Sequence, residues 1–248
     1  MIHSFLLIGQ SNMAGRGFLE EAPDINFERI KVLKNGRWHK CFRPVHSDRK
    51  TAGFCLAESF GEKYATVHNV DVGLIPCADG GTKIEQWHEG SLLYDNAVNN
   101  ARLAMRTSHI VGILWHQGES DCAAELYPTY KERLGKMISA LKKELNLDVP
   151  VIVGGLGDYL PECTLSEKLK NYHHINKALE EFAEENEKVG FVSAKGLTAN
   201  PDMLHFNSQS LYEFGLRYFE EFEKLREDKI YEELPSADDA TRTQMELL

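Results

Sequence analysis

The chain has no long apolar run and fewer basic than acidic residues. No apolar stretch approaches the ~20 residues that a transmembrane helix requires. The 28 Lys and Arg residues are outnumbered by 38 Asp and Glu residues, which gives a net charge of −10 at pH 7. Nucleic acids and anionic membranes both attract basic surfaces. We therefore expect neither a nucleic acid nor a membrane among the partners.

Cysteines are few, and no two of them form a Cys-x-x-Cys pair. The odd number of five and their wide spacing argue against a disulfide framework and against a zinc site. The N-terminus has no basic segment followed by a long apolar one, so no signal peptide is expected. These features predict reduced thiols in the cytoplasm and no metal site.

Apolar runs alternate with helical patterns along the chain. Five runs are predicted to be core strands, at residues 5–8, 70–75, 110–115, 151–153 and 189–192. Five helices are predicted, at 56–67, 92–105, 127–145, 165–186 and 210–225. Such alternation predicts βαβ units with a parallel sheet. We expect an α/β fold, a three-layer α/β/α sandwich with a five-stranded parallel sheet, in one domain at residues 1–228.

Two segments are expected to lie apart from this sheet. Asn35-Gly36 between two strand-like pieces predicts a hairpin, interpreted as an excursion outside the main sheet. Residues 229–248 are polar and without periodicity, which predicts a solvated or disordered tail. Nothing in the sequence decides the oligomeric state, so an oligomer stays possible.

The first segment with chemical interest follows the first strand. After the run that ends at Ile8, Gly9 permits a tight turn and Ser11 falls where a helix would begin. A serine there lies beside unpaired backbone N–H groups and the positive end of the helix dipole. Ser11 is therefore either a nucleophile or a helix N-cap, and this segment alone does not decide between them.

A second segment brings a carboxylate and an imidazole close together. Asp202 and His205 lie three residues apart in a predicted loop. The carboxylate can accept from Nδ1–H of the imidazole, which leaves Nε2 to act as a general base. The alternative is a helix-capping Asp202 with an incidental surface histidine.

Two further segments follow the ends of core strands. In the segment after the third strand, Gln117 offers N–H donors that could hold an oxyanion, and Glu119 could orient its neighbours. His116 is a second candidate base, ranked below His205. In the segment after the second strand, Gly80 offers a backbone N–H as an oxyanion donor, and the alternative is a plain turn. A phosphate loop is excluded, because neither Gly-x-Gly-x-x-Gly nor the P-loop pattern is present. Ligands bind beyond the carboxyl ends of parallel strands, so these segments should converge with Ser11.

Together, the four segments resemble the sequence blocks of the SGNH hydrolases, in the branch of sialate O-acetylesterases and acetylxylan esterases. The matching motifs are Gly9-Gln10-Ser11-Asn12-Met13-Ala14-Gly15, Asp79-Gly80-Gly81-Thr82, His116-Gln117-Gly118-Glu119-Ser120-Asp121 and Asp202-x-x-His205. The resemblance spans residues 2 to about 225 and implies a flavodoxin-like SGNH hydrolase fold. The N in the superfamily name refers to an asparagine in the third block. This chain has Gln117-Gly118-Glu119 at that place, as members of the carbohydrate-esterase branch do.

The resemblance also implies a role for each motif residue. The nucleophile, base and orienting acid would be Ser11, His205 and Asp202. The oxyanion hole would comprise the N–H groups of Ser11 and Gly80 with the side chain of Gln117. Supporting contacts would come from Gln10, Asn12 and Glu119.

The expected activity is that of a serine esterase that removes O-acetyl groups from a small carbohydrate, such as a sialic acid or a xylo-oligosaccharide. No cofactor is expected, because an acyl-enzyme mechanism requires none. Trp87, Trp115 and Tyr159 are candidates to line the sugar side. The alternatives are a non-catalytic sugar-binding protein on the same fold and a lipid or thioester hydrolase of the same superfamily.

Overall fold

A single mixed sheet runs through the protein, and helices cover both of its faces. The computed structural model describes residues 1–235. Its strands are β1 (Ile2–Gly9), β2 (Ile30–Lys34), β3 (Arg37–Lys40), β4 (Asp71–Pro76), β5 (His109–His116), β6 (Val151–Gly154) and β7 (Val189–Val192). The spatial order is β3-β2-β4-β1-β5-β6-β7, and every neighbouring pair except β2 with β3 is parallel. The predicted α/β fold is confirmed, with seven described strands in place of five.

The two additional strands form the hairpin that the Asn35-Gly36 dipeptide predicts. Both turn residues have positive φ, 51° and 73°, as the tight hairpin turn requires. The expectation that the hairpin lies outside the main sheet is wrong. Strand β2 pairs in parallel with β4 from Ile30 to Val32. This pairing is favourable because it buries the side chains of Ile30 and Val32, each of which is only 1% exposed.

Helices pack on the two faces in two groups. They are α1 (Ser11–Ala14), α2 (Leu56–His68), α3 (Leu92–Ala104), α4 (Tyr130–Leu145), α5 (Tyr172–Glu184) and α6 (Ser208–Leu225). Helices α2 and α6 pack against each other, whereas α3, α4 and α5 contact one another in series. Between α2, α6 and the sheet, the ring of Phe5 packs edge-to-face with the rings of Phe60 and Phe222. The distances between ring centroids are 4.7 and 5.3 Å. This aromatic contact fixes α2 and α6 on the first strand.

Three strand ends meet at the carboxyl edge of the sheet, as the parallel topology predicts. Gln10 N–H donates to the carbonyl of His116 at 2.9 Å, and Asp79 N–H donates to the carbonyl of Gly9 at 3.0 Å. Gly9 has φ of 133°, and a Cβ built there would lie 2.1 Å from the His116 oxygen. Only glycine therefore allows β1 to turn so close to β5.

The segment after α6 lies at the opposite edge of the sheet. The Tyr231 ring packs 5.0 Å from His3 and 4.8 Å from His109, and His109 Nε2 lies 2.9 Å from the Glu232 carbonyl oxygen. Tyr231 and Leu234 are therefore half-buried, whereas the other five residues in this part of the predicted tail, 229–235, are exposed. The rest of that predicted tail, 236–248, lies outside the described residues. Within residues 1–235 no helix has the length and apolar character needed to cross a bilayer.

Candidate active site

Ser11 is the first residue of α1, directly after the turn that ends β1. It is 6% exposed, at the edge of the sheet where the three strand ends meet. Among the described residues, no backbone carbonyl accepts the N–H of Ser11. This N–H lies at the start of a helix, where donors are unpaired and negative charge is favoured.

Asp202 and His205 lie in the loop between β7 and α6, and this loop folds around the carboxylate. Asp202 Oδ1 accepts from the backbone N–H groups of Leu204 and His205 at 2.9 and 3.0 Å. Its Oδ2 lies 2.6 Å from His205 Nδ1. Met203 has φ of 51°, a conformation rare outside glycine, which closes the turn. The other nitrogen, His205 Nε2, lies 3.0 Å from Ser11 Oγ.

These contacts also determine the charge of Asp202. Burial alone would raise the pKa of this carboxyl group. The hydrogen bonds from the His205 ring and from the two backbone N–H groups outweigh burial and lower the pKa below its ordinary value. Asp202 is therefore a carboxylate at neutral pH, the form that orients a histidine and stabilises its protonated state.

Asn12 links the serine turn to both sides of the histidine. Its Nδ2 donates to Glu119 Oε1 at 2.5 Å and to the Leu204 carbonyl at 3.3 Å. Its Oδ1 accepts from the N–H of Phe206 at 3.1 Å. One buried side chain thereby fixes the position of His205 relative to α1, with Glu119 as its anchor.

Glu119 is buried beside His116. Burial would raise the pKa of Glu119, but contacts with His116 and Asn12 lower it below the ordinary value. His116 is fully buried, 3.5 Å from Glu119 Oε1, and its ring packs on Phe206 and Phe214. His116 therefore belongs to the supporting layer, and His205 is the histidine that reaches Ser11.

Gln117 is not free to donate to an oxyanion, contrary to the expectation from sequence. Its side chain is fully buried, and Nε2 donates to Gln10 Oε1, the Thr82 carbonyl and Asp121 Oδ2 at 3.0, 2.9 and 2.6 Å. All three partners are acceptors, so turning the amide around would place oxygen against oxygen. The amide instead holds together the three segments that follow β1, β4 and β5.

Gly80 is close to Ser11, but its N–H already has an acceptor. A Cβ built on Gly80 would lie 3.6 Å from Ser11 Cβ and 2.5 Å from Arg16 Nη2. The Gly80 N–H donates to Asp48 Oδ2 at 2.9 Å. In this structure the second expected oxyanion donor is therefore occupied by a carboxylate.

The Arg16–Asp48 ion pair beside Gly80 is a feature that sequence reasoning missed. Arg16 donates to both Asp48 oxygens, at 2.6 and 3.3 Å, and also to the carbonyl of Gly15. The side chains are 7% and 3% exposed. Burial would raise the pKa of Asp48, but Arg16 outweighs it and lowers the pKa. Arg16 could have been noticed in the sequence, because it is a charged residue between two glycines directly after the serine turn. Asp48 lies in an irregular loop, where no sequence pattern marks it.

An open cleft of about 420 Å³ begins at the histidine. Its walls are residues 16–20, residues 51–53 and the side chains of Asn200, Asp202 and His205. The aromatic residues that the sequence suggests for a sugar are not in these walls. Trp87, Trp115 and Tyr159 are 1%, 0% and 7% exposed and belong to the core. Within residues 1–235 no three His, Cys, Asp or Glu side chains converge as a metal site would require.

The fold and the site place the chain in the class of SGNH hydrolases. It belongs to the family of carbohydrate esterases described as sialic acid-specific acetylesterases, whose model matches residues 1–224. It is 30% identical over 246 residues to a probable carbohydrate esterase of Arabidopsis thaliana, with 86% of each chain covered. The family makes the chain a hydrolase that acts on esters.

Solved structures share the fold. A crystal structure of an Arabidopsis thaliana protein has a TM-score of 0.79 and 26% identity, covering 90% of this chain and 98% of that one. The crystal structure of NanS has a TM-score of 0.69 and 17% identity, covering 90% of this chain and 97% of that one. The second likeness, at this low identity, concerns the fold alone.

Proposed function

We propose that the protein is a serine esterase that removes O-acetyl groups from a small carbohydrate through an acyl-enzyme. The observation that carries the proposal is the chain of contacts from Ser11 Oγ to His205 Nε2 at 3.0 Å and from His205 Nδ1 to Asp202 Oδ2 at 2.6 Å. Nucleophile, base and orienting acid thus stand in hydrogen-bonding reach. The acetyl group and the carbohydrate come from the description of the family.

The reaction proceeds in two halves. Ser11 Oγ attacks the acetyl carbonyl carbon while His205 Nε2 takes the hydroxyl proton. The tetrahedral intermediate collapses, the bond to the sugar oxygen breaks, and His205 returns its proton to that oxygen. A water molecule then attacks the acetyl-serine, again with His205 as base, and acetate leaves with Ser11 restored. Throughout, Asp202 holds the imidazole and stabilises its charged form.

The N–H of Ser11 is the donor that we assign to the oxyanion. It is at the positive end of α1, where developing negative charge is stabilised. The Gly80 N–H can serve the same oxygen only after Asp48 Oδ2 releases it. Gln117 acts one step away, because its amide fixes Gln10, which precedes the nucleophile in the chain.

The proposed setting is the cytoplasm, with a small acetylated carbohydrate as partner. All five cysteines are unpaired and buried, which fits a reducing compartment. Burial raises the pKa of the Cys41 and Cys77 thiols to about 12, so both are protonated and unreactive at neutral pH.

The proposal is tested by Ser11→Ala, assayed on p-nitrophenyl acetate and on acetylated sugars by released acetate. We expect kcat to fall by a factor of ~10³ or more. Ser166→Ala, a serine without a side-chain capping bond, is the control and should keep full activity. A folded Ser11→Ala protein with a tenth of the wild-type kcat would refute the serine mechanism. Faster turnover of octanoyl than of acetyl esters would instead favour a lipid hydrolase.

A further inference from the structure

The cleft beside His205 has an apolar rim that the reaction itself does not use. Phe18 and Leu19 are 41% and 42% exposed, and both line the cleft. In the proposed reaction His205 protonates the departing sugar oxygen. The cleft that begins at His205 and ends at the Phe18–Leu19 rim is therefore a space that the departing sugar could occupy.

The backbone beneath the rim is anchored, although the side chains are exposed. Ser208 Oγ donates to the Phe18 carbonyl at 2.8 Å. Gly17 and Phe54 exchange two backbone hydrogen bonds, at 3.2 and 2.9 Å. A Cβ on Gly17 would lie 2.7 Å from Ser208 Oγ, so the segment is tightly packed. Because the backbone is already fixed, little conformational entropy is lost when a flat apolar face of a ligand stacks on the exposed aromatic ring.

Two arginines near the nucleophile, Arg16 and Arg49, are already paired. Arg16 lines the cleft, yet it binds both oxygens of Asp48. Arg49 lies beside Gly80 and pairs with Asp79 at 2.8 Å. A substrate carboxylate that took Arg16 would leave Asp48, only 3% exposed, as a buried charge without its cation. Loss of a partner from a buried ion pair is strongly unfavourable.

The charges that remain in the cleft are negative. Besides the paired Arg16, the charged residues of its walls are Glu20, which is exposed, and Asp202. The whole chain adds a net charge of −10, which repels anions at a distance. The cleft thus offers an apolar face and hydrogen-bonding groups, with no free cation in its described walls.

We infer that the cleft takes the acetyl esters of uncharged sugars, with the sugar ring on Phe18, and discriminates against sugars that carry a carboxylate. The inference rests on the proposed esterase function and narrows its substrate class. The description of the family names sialic acids, which carry a carboxylate. The inferred preference for uncharged sugars therefore differs from the specificity in that description.

The test uses two acetylated substrates that differ only in charge, an acetylated methyl glucuronoside and its uronamide. At pH 7 the first is an anion and the second is neutral. We expect kcat/KM to be at least tenfold higher on the uronamide, and Glu20→Gln to narrow that gap. Equal or faster turnover of the anion would overturn the inference.

The role of the ring is tested by Phe18→Ala, with Phe42→Ala as the matched control. Phe42 is 40% exposed and lies outside the cleft walls. In Phe18→Ala, the ratio of kcat/KM on the uronamide ester to that on ethyl acetate should fall about tenfold, the scale of one aromatic contact. Phe42→Ala should leave this ratio unchanged. The same ratio in both variants would exclude Phe18 as the platform.

Binding to the Ser11→Ala protein separates this inference from the proposed function. Calorimetry with the two glucuronoside esters requires no catalysis. Tighter binding of the uronamide ester supports the inference even if no ester is hydrolysed by the wild-type protein. Tighter binding of the anion contradicts it even if the wild-type protein is an efficient esterase.

Discussion

We expect His46 to make the stability of the protein sensitive to mild acid. It lies in the loop between β3 and α2 and is 2% exposed. Burial lowers its pKa from 6.5 to about 4, although the nearby Asp48 carboxylate acts in the opposite direction. The folded protein therefore keeps His46 neutral at a pH where the unfolded chain binds a proton.

The sign and size of the effect follow from these two pKa values. A group that binds protons more readily when unfolded reduces stability as the pH falls. The loss begins near pH 6.5 and is complete near pH 4, the values that bound the titration of His46. Between pH 7 and pH 5 the linkage relation gives about 2 kcal/mol. This is a large share of the 5–15 kcal/mol that typically holds a domain folded.

The measurement is urea unfolding of wild type and His46→Gln at pH 7 and pH 5. We expect the wild type to lose about 2 kcal/mol more than the variant between the two pH values. Any cost of the substitution itself cancels, because only the pH difference is compared. His3, whose pKa burial also lowers to about 4, titrates in both proteins. The same pH difference in both proteins would refute the reasoning.

Three other substitutions test the site and the fold. Asp202→Asn should lower kcat by ~10³–10⁴ with little change in KM, because an amide favours the wrong histidine tautomer; a tenfold loss or less would contradict the assigned role. Asn12→Ala should lower kcat by about 10²-fold through misplacement of His205, while an unaltered kcat would show that its three hydrogen bonds are dispensable. Gly9→Ala should cost about 4 kcal/mol or more in thermal or urea unfolding, because its Cβ would meet the His116 oxygen. Gly90→Ala is the control, because Gly90 also has a positive φ, 80°, but has open space around it. An equal loss of stability in the two variants would show that backbone strain, and not the clash with His116, causes the effect.

Local patterns in the sequence predict the parts of the site that local structure builds. Ser11 could be found because a buried strand, a glycine and a helix start are consecutive in the chain. Asp202 and His205 could be found because one turn brings both side chains together, and the structure adds their contact at 2.6 Å. Parallel strands then bring Gly80 and the segment after β5 to the same edge, which is a topological consequence and needs no side-chain detail.

The polar contacts between segments could not be predicted in this way. Gln117 has the right residue type and the right place for an oxyanion donor. Its amide hydrogens nevertheless go to acceptors on two distant segments and on Asp121, and only the packing of those segments decides this. Asp48 reaches the Gly80 N–H from an irregular loop, where no periodicity marks its position.

The sequence by itself determined the fold class, the turn that bears Ser11 and the Asp202–His205 pair, because strand period, turn residues and short spacings are local properties of the chain. Only the tertiary structure decided that the Asn35-Gly36 hairpin extends the sheet, that Trp87 and Trp115 are core, and that Phe18 lines the cleft. Pairing and burial depend on which distant surfaces meet. An apolar side chain has the same pattern in the sequence whether the fold covers it or leaves it open to a ligand.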